Sequence, residues 1–286
     1  MRFLFLLPFL VFSQGFVDIV RLESYYSPTQ TKQGEKVNLS IGQAQLFLPI
    51  VKNEKNTVFF NPRFELVNIQ FKDESLQLVQ TAYPLGFKRN VNDRWGYTTI
   101  VIPRFNGPFD NSFQIGVLNT VNINNSGNLN QRFGFYANQE FFGLFLLPLY
   151  GIDWKINGSW RAYGLLPVNA AIENRKSEKL AYGISFNAFI NSFRSFQTEK
   201  YPGYFQRNTN ELYLYADYYL SAKLVLQGKV GYSVGRAYKY YPEDEQLAYQ
   251  ISLARFGDKR AKRDAFVTDG AIFQLNLVFR VKTDYK

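Results

Sequence analysis

The sequence predicts an all-β chain, folded as a closed antiparallel transmembrane β-barrel of about twelve strands, with roughly ten to fourteen as the range. Three observations predict it. Aromatic residues are abundant, with 28 Phe, 20 Tyr and 3 Trp among 286 residues, and such rings suit pleated, half-buried surfaces. Strand-length runs alternate between an apolar and a polar face, the period of two that marks a strand between unlike environments. Turn residues separate these runs at short intervals: Ser126-Gly127-Asn128, Asn157-Gly158, Asn106-Gly107-Pro108 and Lys176-Ser177-Glu178-Lys179.

From the N-terminus, Met1-Arg2 supplies a positive start and Phe3 to Phe12 an apolar stretch broken only by Pro8. Ser13 and Gly15 place small residues at the −3 and −1 positions of a cleavage site, so residues 1–15 read as a signal peptide and 16–286 as one barrel domain. An apolar stretch of this length is too short to cross a ~30 Å hydrocarbon layer as a helix. Strands follow near 35–51, 57–71, 95–106, 113–117, 130–140, 142–156, 159–166, 168–176, 180–190, 208–220, 223–235 and 273–281. That leaves about 22 residues for each strand with its loop, against the ~9–11 a crossing requires. Residues 72–94 read as a long connection on the inner side of the membrane, without a physical account. Residues 241–269 read as a long outer excursion, charged at both ends, with a short strand of its own around Leu247 to Arg255.

The clearest alternation is the last. Phe273, Leu275, Leu277, Phe279 and Val281 share one face, with Gln274, Asn276, Arg280 and Lys282 on the other. Leu224, Leu226, Val230, Tyr232 and Val234 oppose Lys223, Gln227, Lys229, Gly231 and Ser233 in the same way. A water-soluble barrel gives the same period with its faces exchanged. Three features favour the membrane. The non-apolar faces hold Gly, Ser, Asn, Gln and Lys, which suits a wet lumen. Aromatic residues gather near strand ends (Tyr25-Tyr26, Trp95, Tyr97, Trp154, Trp160, Tyr218-Tyr219, Tyr238, Tyr240-Tyr241), as in the girdles of membrane barrels. Export of a chain without cysteine fits a Gram-negative envelope protein.

Several segments carry a family likeness. Gly164-Leu165-Leu166-Pro167-Val168-Asn169-Ala170-Ala171-Ile172-Glu173, Gly231-Tyr232-Ser233-Val234-Gly235-Arg236-Ala237-Tyr238 and Asp269-Gly270-Ala271-Ile272-Phe273 resemble a family of bacterial outer-membrane β-barrel proteins of unknown function. The resemblance runs over most of the chain after the leader. It implies a fold and a location, the cell outer membrane, and brings no activity or catalytic residue with it. The chain departs from many such barrels by running on through Thr283-Asp284-Tyr285-Lys286 rather than ending on an aromatic residue.

Chemistry is bounded by what the chain lacks. With no Cys and no His, it has no disulfide, thiolate ligand, histidine base or histidine-ligated zinc. Ser-His-Asp and Cys-His catalysis are excluded, no carboxylate pair stands out by spacing, and no twelve-residue calcium loop occurs. The reading is therefore no enzyme, no cofactor and no metal site. Thirty-three Lys and Arg against 23 Asp and Glu give a net charge of +10, but no nucleic-acid module accompanies it.

Candidate lumen-facing residues are Lys223, Gln227, Lys229, Gln274, Asn276 and Arg280. Their cations would favour anions, unless carboxylates such as Asp217 and Glu211 pair with them and fill the interior. Lys259, Arg260, Lys262 and Arg263 form a candidate anion-contacting loop, for lipopolysaccharide phosphates or anionic glycans; the plainer reading is a solvated loop balanced by Glu243, Asp244 and Glu245. The function expected is a narrow, porin-like channel or transporter for small solutes. The alternative is a structural or docking barrel whose outer loops bind envelope partners, with a secreted soluble barrel as a third reading.

Overall fold

The computed structural model describes residues 16–282. The signal peptide expected at 1–15 and the tail 283–286 lie outside the described residues.

Fourteen strands close into one antiparallel barrel. They are β1 (Phe16–Gln30), β2 (Lys36–Leu46 with Leu48–Lys52), β3 (Asn56–Phe60 with Arg63–Gln70), β4 (Ser75–Ala82 with Leu85–Asn90), β5 (Trp95–Phe105), β6 (Phe113–Ser126) and β7 (Leu129–Glu140). The ring continues with β8 (Gly143–Lys155), β9 (Trp160–Leu166), β10 (Asn169–Arg175), β11 (Leu180–Phe193), β12 (Tyr204–Tyr219), β13 (Leu224–Ser233 with Ala237–Tyr241) and β14 (Ala271–Lys282). Each strand pairs with the next, and β14 pairs with β1 to close the ring. Closure leaves no edge strand with unpaired backbone groups, the condition for spanning hydrocarbon with strands.

The count corrects the expected twelve, because two strands escaped the alternation rule. In β1 a bulge between Asp18 and Val20 shifts the register, so its apolar residues change face part-way. The second was hidden in residues 72–94. That stretch is not a connection: it is the up-and-down pair of turns around β4, whose two halves are interrupted at Tyr83-Pro84. The excursion is placed as expected, although Ala237–Tyr241 continues β13 and the free chain spans 242–270. It contains a hairpin, Tyr249–Ile251 with Ala254–Phe256, rather than one strand.

The two ends of the barrel differ. At the end where β1 begins and β14 stops, the turns run two to four residues, from 53–55 to 220–223. The asparagine and serine signals work here by side-chain capping: Asn157 Oδ1 accepts from the amides of Ser159 and Trp160, both at 2.9 Å. At the opposite end the connections include 106–112, 194–203 and the 242–270 excursion. We call these the turn end and the loop end.

One stretch of wall is short. Strands β9 and β10 stop at the turn Pro167-Val168, well below the loop end of their neighbours β8 and β11. The excursion supplies the missing edge. Tyr249, Gln250 and Ile251 pair in parallel with Leu144, Phe145 and Leu146 of β8, and Ser252 N donates to Leu146 O at 2.9 Å. Leu247 N donates to Phe142 O at 2.8 Å. The approach is close enough to require glycine at position 143, where φ is +130° and a Cβ would sit 2.3 Å from the carbonyl oxygen of Leu247.

Candidate functional site

The apolar faces found in the sequence point outward. Phe273 and Leu275 on β14, Leu212 and Leu214 on β12, Ile184 on β11 and Ile115 on β6 are all about half exposed or more. Trp95, Trp154, Trp160 and Tyr218 lie exposed near the turn end of their strands, in the manner of an interfacial girdle. Tyr25, Tyr219, Tyr238 and Tyr241, expected with them, are instead buried inside. A concavity of about 550 Å³ lies on the outer wall, where Gly228 leaves a dent between Leu214, Val230 and Leu275. It belongs to the outer surface rather than the interior.

The interior is layered, and the strand registers show how. Arg21, Gln45, Arg63 and Ala82 stand opposite one another in turn, with Ala82 opposite Arg104. One row nearer the loop end come Glu23, Gln43, Glu65 and Gln80. The next two rows are Tyr25, Ile41, Val67, Leu78 and then Ser27, Leu39, Ile69, Leu76. The wall thus passes from cations through acids and amides to apolar side chains.

Most interior charges are paired. On the β14 side, Arg280 donates to Asp18 Oδ1 at 2.6 Å, to Asp217 Oδ2 at 2.8 Å and to Tyr219 OH at 3.2 Å, and its guanidinium lies 3.8 Å from the ring centre of Phe16. Gln227 donates to Asp217 at 2.5 Å and accepts from Asn276 at 2.8 Å and from Arg21 at 3.2 Å. Gln274 donates to Asn276 at 2.9 Å and to Glu23 at 3.2 Å. Across the barrel, Arg207 pairs with Glu65 at 2.8 Å.

A third cluster joins strands distant in the ring near the loop end. Arg104 pairs with Glu140, Ser192 Oγ donates to Glu140 Oε2 at 2.7 Å, and Asn106 Nδ2 donates to Ser192 O at 2.9 Å. The end of β11 therefore crosses the mouth to reach the β5–β6 connection, where Arg194 N donates to Asn106 O at 2.7 Å. Phe193, Phe205, Tyr238 and Val267 complete the closure by packing on the apolar rows of β2 to β4.

Of the residues singled out in the sequence, Gln227, Gln274, Asn276 and Arg280 meet in one network in which Arg21 and Arg280 face Asp18, Asp217 and Glu23. Lys229 makes no ion pair among the described residues and sits over the ring of Tyr213 at 5.3 Å. Lys223 departs from the expectation: it is exposed in the 220–223 turn, and its place in the fold is to accept Arg280 N on its carbonyl at 2.7 Å. Alternation placed it on the polar face, but the turn begins before it. Sequence reasoning missed Arg63, Lys88, Arg104 and Glu140. Lys88 lay in the hidden strand, and the alternation around Arg63 and Arg104 is interrupted by Pro62 and Pro103.

The basic loop divides. Arg260 is almost fully buried as a side chain, ion-paired to Asp258 at 2.8 Å and stacked 4.5 Å from the ring centre of Tyr241. Arg263 pairs with Glu245 at 2.5 Å. The Arg260 guanidinium holds the Asp258 carboxyl below the usual carboxylate range, and Arg263 does the same to Glu245. Lys259 and Lys262 are exposed.

No protein-family model matches the chain, and no curated protein matches it. Among solved structures, it is similar to an outer-membrane channel from Pseudomonas putida F1, at 10% identity and a TM-score of 0.48 over 93% of this chain and 96% of that one. It is also similar to the translocator domain of the autotransporter NalP from Neisseria meningitidis, at 8% identity and a TM-score of 0.37 over 92% and 88%. A third is a FadL homologue from Pseudomonas aeruginosa, at 10% identity and a TM-score of 0.36 over 91% and 88%. Likeness at this level says nothing of role, which has to be read from the barrel itself.

Proposed function

We propose that this chain is a non-enzymatic, integral outer-membrane barrel that forms a narrow passage for small solutes, sealed at the loop end by its own strands. One observation carries the reading: below the mouth, the wall is apolar outside and charged inside. A lipid-facing barrel with a wet lumen requires that arrangement, whereas a water-soluble barrel requires its reverse. Short turns at one end and long connections at the other fit periplasmic and external faces respectively. Charged groups such as Arg63, exposed although it shares the inward face with Glu65, fit water inside.

The test is planar-bilayer conductance of the purified chain, beside gel mobility of the outer-membrane fraction with and without boiling. A faster unboiled band and a small conductance that rises when 242–270 is replaced by a short turn are expected. A soluble protein without a mobility shift, or a barrel that never conducts, overturns the passage. The docking alternative has one observation in its favour. Lys259 and Lys262 stand exposed beside a hairpin whose Leu253 is 80% exposed, which suits lipopolysaccharide, with its acyl chains and phosphates. Loss of lipopolysaccharide binding in the doubly substituted Lys259→Ala, Lys262→Ala chain, with conductance unchanged, would favour it.

A further inference from the structure

Most interior cations of the barrel have an acid in contact or close by. Arg21, Arg104, Arg161, Arg207 and Arg280 make ion pairs. Arg63 lies within electrostatic reach of Glu23, and Lys229 within reach of Glu23, Asp217 and Glu211. Lys88 is different. Among the described residues it makes no hydrogen bond or ion pair, and the nearest charges are those of Arg132 and Lys52, each of which has interactions of its own.

Its surroundings are built from hydroxyls. Lys88 is half-buried on the inward face of β4. Thr57 of β3 stands directly opposite it on one side and Thr98 of β5 on the other, with Thr120 of β6 next in the row. All three threonines are more than nine-tenths buried. Directly opposed residues have Cβ atoms about 4.5–5.5 Å apart, so the ammonium rises between two hydroxyl-bearing neighbours. Lys52, opposite Thr57, closes the row on the β2 side. A half-buried ammonium without an acid in contact attracts an anion more strongly than one in bulk water does, because the Coulomb energy grows as the local dielectric falls.

We infer that Lys88, flanked by Thr57 and Thr98, forms a binding site for a small oxyanion in the turn-end half of the lumen. The ammonium supplies the charge, and a threonine hydroxyl can donate to an oxyanion oxygen. Thr98 already accepts from Asn122 Nδ2 at 3.3 Å, which leaves its hydroxyl proton to donate. The site names the solute class of the proposed passage. Its role in transport rests on that reading, but the binding itself does not.

Titration calorimetry of the refolded full chain in detergent, with inorganic phosphate as the probe, tests it. Saturable binding in the millimolar range or tighter is expected. Lys88→Gln should weaken it at least about tenfold, Lys88→Arg should retain most of it, and Thr98→Val should give an intermediate loss. Equal affinity in Lys88→Gln, or no saturable binding by the unsubstituted chain, overturns the site. Bilayer conductance, scored separately, keeps the two proposals apart. Lys88-dependent binding without conductance removes the passage and leaves the site; conductance without Lys88-dependent binding removes the site and leaves the passage.

Discussion

Strands β2 and β3 carry opposite polarities along their length. Towards the loop end, Val37, Leu39 and Ile41 of β2 point inward and are buried, with Lys36, Asn38 and Ser40 on the outer side. Farther down, Arg63 and Glu65 of β3 point inward and Phe64 is 44% exposed outside. The same barrel is thus apolar outside in its belt and apolar inside at its mouth. A period of two reports that a strand has two environments. It does not say which face is apolar, and here the answer changes between belt and mouth, as the proposed change from hydrocarbon to water outside requires.

The two halves should respond differently to substitution. The largest effect is expected where buried charges are paired. Glu140→Ala strands the Arg104 guanidinium among Gln114 and Asn138 and should cost about 3–5 kcal/mol, read as a lowered denaturant midpoint for unfolding from detergent. At the mouth, Leu39→Ala removes a fully buried side chain from the apolar rows and should cost about 2–5 kcal/mol. It should also raise conductance, since the row it leaves is part of the seal.

In the belt, Leu214→Arg sharpens the contrast. Leu214 is 60% exposed, so in a soluble barrel the change would cost within about 0.5 kcal/mol, whereas near the bilayer midplane it should cost about 2–4 kcal/mol. Folding into lipid vesicles, compared with unsubstituted chain, distinguishes the two.

A smaller effect concerns pH at the excursion. Because the Arg260 guanidinium depresses the Asp258 carboxyl, this contact's stabilisation is fully present above the ordinary value of 3.8 and is lost as pH falls through the depressed one. Protease cleavage of 242–270 should accordingly accelerate only below about pH 3.8, and Asp258→Asn should be cleaved faster already at neutral pH. The smallest effect is expected at the exposed lysines. Lys259→Ala should change stability by no more than about 0.5 kcal/mol, measured by the same unfolding assay.

Much of the fold was legible because local chemistry expresses it. The alternation of Phe273 to Leu277 and Phe279 placed β14 and its outward apolar face, and Asn157-Gly158 placed a turn. The two strands that escaped are those in which a bulge in β1 or Tyr83-Pro84 in β4 breaks the local period. The candidate interior was legible only in part. Gln227, Gln274, Asn276 and Arg280 could be assigned to a polar face, but whether Arg280 is a free cation could not be read from that face.

The sequence alone determined what each residue can do: which runs make strands, where turns interrupt them, and which catalytic and metal chemistries the missing Cys and His remove. Tertiary structure decided which charges are spent. Ring closure sets Asp18 against Arg280, 262 residues away, and the crossing of β11 sets Ser192 against Glu140. The same closure leaves Lys88 among cations and hydroxyls. Partnership of this kind depends on the register of every strand in the ring, because a slip of one residue exchanges lumen for lipid along a whole strand.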